Sequence, residues 1–109
     1  MHELTEALKI EDLPPGTQKT VQLGTRRVLL CHEADSCTVW AIEDECSHAF
    51  QPLAGGKVRG GTIQCPKHGA RFDLRTGAPL NGIAIRPVPV YAVRIEGNCV
   101  LVAQAPSKP

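Results

Sequence analysis

The sequence Cys46-x-His48, followed after sixteen residues by Cys65-x-x-His68, puts two thiolates and two imidazoles into two short loops, the donor set of a metal site. Structural zinc sites usually pair two cysteines in one knuckle and two histidines on a later helix, whereas here each loop offers one cysteine and then one histidine. A cluster of two irons suits that order. With Cys46 and Cys65 on one iron and His48 and His68 on the other, each loop spans the whole unit and ligates both ends. The same four residues could instead hold a structural zinc and do no redox chemistry. Ligand order and loop context favour iron and sulfur.

Residues 46–73, CSHAFQPLAGGKVRGGTIQCPKHGARFD, resemble the cluster-binding region of Rieske-type [2Fe-2S] ferredoxins, the bacterial electron carriers associated with oxygenases. The second half, CPKHGARFD followed by Thr76-Gly77, is especially close to the family pattern, and with flanking strands the likeness runs from about residue 7 to residue 103. The resemblance implies one Rieske-type [2Fe-2S] cluster held by Cys46, His48, Cys65 and His68. It implies an all-β fold, a small antiparallel β-sandwich or barrel with an inserted cluster-binding subdomain at approximately 45–87, all within a single domain, 1–109. In such proteins the histidine-ligated iron changes oxidation state and its imidazoles reach the surface, which makes His48 and His68 the expected exit for the electron.

Charge explains why this ligand set suits a carrier. Two ferric ions, two sulfides and two thiolates sum to zero, so reduction leaves a single negative charge, whereas an all-cysteine cluster starts two charges more negative. Rieske potentials accordingly lie roughly between −150 and +300 mV, above those of plant-type ferredoxins. High-potential members carry a Ser and a Tyr after the second histidine and a disulfide bracing the two loops. This chain has Ala70 and Phe72, and Gln51 and Lys67, at the matching positions. All four departures imply the low-potential branch.

The function implied is that of a soluble one-electron carrier, not catalytic alone. It would take electrons from a flavin-dependent NAD(P)H reductase and pass them to a terminal oxygenase through transient contacts, acting as a monomer. Two other readings use the same residues: a Rieske-like small subunit of a larger oxidoreductase such as nitrite reductase, and a non-redox structural zinc-binding module. A complete oxygenase is not expected, because 109 residues leave no room for a second catalytic module and only His2 and His32 remain for a further iron site.

The elements that must position the four donors read as strands. Short runs rich in Val, Ile, Leu and Thr alternate with Gly, Pro, Asp and Asn, and no long segment keeps a helical period. Strands are predicted near Ala7–Leu13, Lys19–Leu23, Arg27–His32, Thr38–Glu43, Gly61–Gln64, Arg71–Asp73, Val90–Ile95 and Cys99–Ala103, with turns at Gly24-Thr25, Ala34-Asp35-Ser36 and Glu96-Gly97-Asn98. Gly55-Gly56, Gly60-Gly61 and Gly69 provide tight turns around the cluster. Phe50, Pro52 and Leu53 could form an apolar collar, and Asn81–Pro87 occupies the place of a covering loop, with Ile83 near where relatives have proline. Trp40 and Tyr91 read as core. Residues 105–109 read as a flexible tail.

Cysteine usage suits a reducing compartment. Cys31, Cys37 and Cys99 lie in or beside apolar runs and are expected to be buried thiols, with a disulfide between any two of them left open. The N-terminus has neither a basic leader nor an apolar run, which points to a cytoplasmic protein with no membrane association. Net charge is +1 but unevenly spread. Residues 1–45 hold nine acidic and four basic side chains, a net of −5, while residues 46–109 hold two acidic and eight basic, a net of +6. A cationic cluster half suits an acidic docking face on a redox partner. Nucleic acid is not an expected partner, since one Trp, one Tyr and two Phe give few stacking platforms.

Overall fold

Five consecutive residues, Val28 to His32, are buried. Successive strand side chains point to opposite faces, so such a run needs cover on both sides of its sheet. The architecture supplies it in this computed structural model, which describes residues 3–34, 36–47, 51–67, 69–84 and 86–107.

The strands are β1 (Leu4–Lys9), β2 (Gln18–Leu23), β3 (Arg26–His32), β4 (Val39–Glu43) and β5 (Lys57–Arg59), followed by β6 (Thr62–Gln64), β7 (Arg71–Asp73), β8 (Val90–Tyr91), β9 (Val93–Glu96) and β10 (Cys99–Ala103). They form three antiparallel sheets: β1-β10-β9, the central β2-β3-β4-β8, and β5-β6-β7. Val28 and Leu30 of the central sheet pack with Leu13, Ala41, Val100 and Val102 toward the first sheet. Leu29 and Cys31, one residue out of phase, pack with Ile42, Leu53, Ile63 and Phe72 toward the third. β4 alternates in the same way, with Val39 and Ala41 on one side and Trp40 and Ile42 on the other.

This is the expected all-β antiparallel fold, with the third sheet inserted in the chain between β4 and β8. Several boundaries differ from the sequence expectation. The strand expected at Ala7–Leu13 lies earlier, at Leu4–Lys9, and is followed by a 3₁₀ turn at Ile10–Asp12. That turn, closed by Leu13 N–H donating to the Ile10 carbonyl (3.0 Å), drops Leu13 into the core with no exposure. There the Leu13 carbonyl lies 2.7 Å from His32 Nδ1, which must therefore carry the proton and donate it. The single strand expected at Val90–Ile95 is two. Val90 and Tyr91 pair with β4, and from Val93 the chain pairs with β10, so it changes sheets at Ala92. β5 is not expected from sequence, because Lys57-Val58-Arg59 offers only one apolar residue.

The turns behave as their residues dictate. Gly24 (φ 63°) and Gly97 (φ 59°) sit in the left-handed region in the two-residue loops joining β2 to β3 and β9 to β10. The β3–β4 connection closes through Glu33 N–H donating to the Thr38 carbonyl (2.9 Å); Asp35 within it lies outside the described residues. In the segment expected to be a flexible tail, Ser107 N–H donates to the Val90 carbonyl at 2.7 Å, and Lys108 and Pro109 lie outside the described residues. Among the described residues no helix is long and apolar enough to cross a membrane.

Candidate metal centre

Both cysteines of the donor set stand at the head of a tight turn. Cys46 N–H donates to the Gln51 carbonyl and Cys65 N–H to the Ala70 carbonyl, each at 2.7 Å, so each cysteine opens a loop whose two ends are bonded to each other. Gly69, at φ 78°, closes the second turn further by donating to the Cys65 carbonyl (3.1 Å). Cys46 and Cys65 have essentially no exposure and share one apolar cluster with Leu53, Ile63, Ala70 and Phe72. Two residues 19 positions apart in sequence thus belong to the same buried cluster. His48 and His68 lie outside the described residues, as does Phe50 of the expected collar. Leu53 belongs to the core, whereas Pro52 is exposed.

The third loop is tied to both others. Asn81 Nδ2 donates to the Gly69 carbonyl (3.0 Å) while its Oδ1 accepts from Arg71 N–H (3.3 Å), and Ser47 Oγ donates to the Arg86 carbonyl (2.6 Å). Ala84 is buried against the shared cluster and Ile83 is 40% exposed at the rim. Sequence reasoning singles out the segment but neither Asn81 nor Ser47. The Asn81-Gly82 dipeptide, a turn signal, is the available clue.

A second group missed from sequence holds this region to the central sheet. Asp44 and Glu33, at the ends of β4 and β3, are buried carboxylates. Glu33 Oε1 accepts from Trp40 Nε1 (2.7 Å) and from Gly61 N–H (2.9 Å), the latter in the β5–β6 turn. Asp44 accepts from Thr20 Oγ1 and from Ala54 N–H, both at 2.9 Å. Gln18 on β2 bonds Gly55 and Gly56. Among the described residues no buried side-chain nitrogen or oxygen lacks a partner.

The remaining thiols differ from expectation in burial. Only Cys31 is buried; Cys37 is exposed, because it sits in the β3–β4 turn at φ 57°, and Cys99 is half-buried at the start of β10, 3.6 Å from Lys9 Nζ. Among the described residues, which include all five cysteines, none is joined in a disulfide. Burial, reinforced by the nearby Asp44 and Glu33 carboxylates, pushes the Cys31 thiol up to about 12, so it stays protonated and inert. Trp40 packs against the shared core and Tyr91 is buried in the other, as expected. Lys57, Arg59, Lys67, Arg71 and Arg75 are exposed and make no ion pair among the described residues; Lys57 and Arg71 flank Gln64, next to Cys65, whereas Arg59 and Arg75 lie toward the β5–β6 turn.

Two soft thiol donors, buried together and free of disulfide bonds, with an imidazole in the sequence of each loop, fit a cluster of mixed cysteine and histidine ligation. Comparison with known proteins agrees. The family model described as Rieske [2Fe-2S] domain matches residues 3–92. The biphenyl dioxygenase ferredoxin subunit of Pseudomonas sp. (strain KKS102) is 31% identical over 99 residues, 90% of this chain and 89% of that protein. Among solved structures, the ferredoxin of carbazole 1,9a-dioxygenase from Nocardioides aromaticivorans IC177 superposes with a TM-score of 0.84 at 32% identity, covering 92% of this chain and 96% of that one. A chain from the complex of reduced oxygenase and oxidized ferredoxin in carbazole 1,9a-dioxygenase gives a TM-score of 0.85 at 26% identity, with both chains covered completely.

Proposed function

Since this chain belongs to the Rieske [2Fe-2S] domain family, we propose that it is the ferredoxin component of an oxygenase system, a soluble one-electron carrier that makes and breaks no substrate bond itself. Its ligands are Cys46, His48, Cys65 and His68, and the unit that carries them is the segment of approximately 45–87 inserted in a single domain. The observation that carries this reading is that Cys46 and Cys65, each at the head of a turn closed by its own amide, are both buried in one apolar cluster.

When bound, the cluster supplies reversible one-electron chemistry. The chain's own residues provide the rest. Cys46 and Cys65 would hold one iron away from water among Leu53, Ile63, Ala70 and Phe72, and His48 and His68 would hold the other toward the surface. The exposed Lys57, Lys67 and Arg71, close in the fold or the sequence to Cys65, suit brief docking to acidic faces of two partners, a flavin-dependent NAD(P)H reductase and a terminal oxygenase. Oxygenase docking is supported by the likeness to the ferredoxin–oxygenase complex of carbazole 1,9a-dioxygenase. The carrier works as a cytoplasmic monomer with no role for nucleic acid or membrane.

The test is an EPR spectrum of anaerobically purified protein before and after dithionite, with iron, zinc and sulfide analysis. A rhombic signal of low mean g that appears only on reduction, with two irons and two sulfides per chain, is the expected result. A colourless, EPR-silent protein holding one zinc would overturn it in favour of a structural module.

A further inference from the structure

The first cluster loop leaves β4 at Asp44, two residues before Cys46, and returns at Ala54. These two residues are bonded to each other, Ala54 N–H donating to Asp44 Oδ1 at 2.9 Å, so the loop is closed at its neck by a side chain that is itself fully buried. The other oxygen of the same carboxylate faces the central sheet. Asp44 Oδ2 accepts from Thr20 Oγ1 on β2 (2.9 Å) and lies 3.5 Å from Arg27 on β3, while Asp44 N–H donates to the Arg27 carbonyl. One carboxylate therefore refers both ends of the loop to the rigid part of the molecule.

The hold extends to the second loop. Gln18 Oε1 accepts from Gly55 N–H (3.0 Å) and Gln18 Nε2 donates to the Gly56 carbonyl (2.6 Å), so three successive residues, 54 to 56, are gripped by two side chains of the sheet. Gly56 passes so close to the next segment that a Cβ placed on it would lie 2.3 Å from the Gln64 carbonyl oxygen, and Gln64 immediately precedes Cys65. A continuous strut thus runs from Asp44 beside Cys46, through Ala54 and Gly56, to Gln64 beside Cys65.

From this geometry we infer that Asp44, assisted by Gln18, is a positioning residue that sets the separation of the two cysteine loops and so the geometry and retention of the bound cluster. It is not one of the proposed ligands, and its bonds run to Ala54, Thr20 and Arg27. The inference rests on the ligand set proposed above. Partners that orient metal ligands without binding metal typically change affinity by roughly ten- to a hundredfold when removed. Asparagine at this position keeps the Oδ1 acceptor for Ala54, and the Thr20 hydroxyl can turn to donate elsewhere or accept, whereas alanine removes the neck bond altogether.

The experiment compares wild type, Asp44→Ala, Asp44→Asn, Gln18→Ala and Val100→Ala. The last trims the core between the first and central sheets and serves as a control for loss of stability alone. Each protein is followed for the g-values of its reduced EPR signal and for the rate of cluster loss to an iron chelator. Expected are shifted g-values and roughly ten- to a hundredfold faster loss in Asp44→Ala, a smaller change of the same kind in Gln18→Ala, and recovery of wild-type values in Asp44→Asn. Val100→Ala should keep the wild-type g-values. If Asp44→Ala does not fold, Gln18→Ala decides the matter. Wild-type g-values, with loss no faster than in Val100→Ala, for every variant of Asp44 and Gln18 that folds would overturn the inference alone. A wild-type protein with no such signal would overturn the ligand set and this inference with it.

Discussion

Ala70 and Phe72 follow the second cysteine–histidine pair and are both without solvent exposure, yet neither carries a hydroxyl. In the high-potential branch that this chain departs from, Ser and Tyr at these places donate hydrogen bonds that favour the reduced, more negative cluster. Bonds to charged groups are worth about 1.5–3 kcal/mol, so their absence here implies a potential toward the lower end of the family range. The double substitution Ala70→Ser with Phe72→Tyr should raise the midpoint in a potentiometric titration. An unchanged midpoint together with a lower melting temperature would mean that the hydroxyls are buried unsatisfied and bond no sulfur.

At the scale of elements, the loops are held by close backbone approaches as much as by side chains. Gly56 is not in the left-handed region; its lack of a side chain matters because a Cβ there would meet the Gln64 and Leu53 carbonyl oxygens at 2.3 and 2.9 Å. Gly55 beside it has the opposite character, with φ 88° and nothing within 4 Å of where a Cβ would sit. Gly56→Ala should therefore cost about 1–3 kcal/mol through overpacking and also speed cluster loss, because the strut between the loops must shift. Gly55→Ala should cost about 1–2 kcal/mol through backbone strain and leave retention of the cluster close to wild type. Thermal melts and chelator kinetics on the two variants separate these effects; equal retention in both would show that the close approach does not transmit to the cluster.

For the molecule as a whole, two buried acids tie stability to alkaline pH. Cys31 is pushed from 9.0 to about 12 by burial and then by the Asp44 and Glu33 carboxylates. Tyr91 is pushed from 10.0 to about 12 by burial and then by its hydrogen bond to Glu43. Between the ordinary and the raised value the native state binds more protons than the unfolded chain, so stability falls as pH rises. The fall should begin near pH 9, steepen above 10 as the tyrosine joins, and level off near 12. Denaturant titrations across that range check it, and Cys31→Val should remove the earlier part of the decline. Charge adds a second expectation at this scale. With a net +6 over residues 46–109, electron transfer to an acidic partner should slow markedly as ionic strength rises and the Debye length shrinks from about 10 Å at 0.1 M to about 3 Å at 1 M. A rate independent of salt would show that docking is not electrostatically steered.

The cysteine–histidine pattern and the β class were legible in the order of the residues, whereas the burial of β3 on both faces came only with the tertiary structure. Thiolates, imidazoles and their spacing are local properties, and a run such as Val28-Leu29-Leu30-Cys31 can be buried only with cover on both faces. The change of sheets at Ala92, the 3₁₀ turn that seats Leu13, the exposure of Cys37 and the roles of Gln18, Asp44 and Asn81 were not legible there. Each side-chain role depends on which distant backbone group comes within reach: Ala54 for Asp44, Gly55 and Gly56 for Gln18, Gly69 for Asn81. A polar side chain has the same composition and local propensity whether it faces solvent or clamps a loop. Only the packing of the central sheet against the inserted one, which removes water and brings these donors and acceptors together, decides which it does.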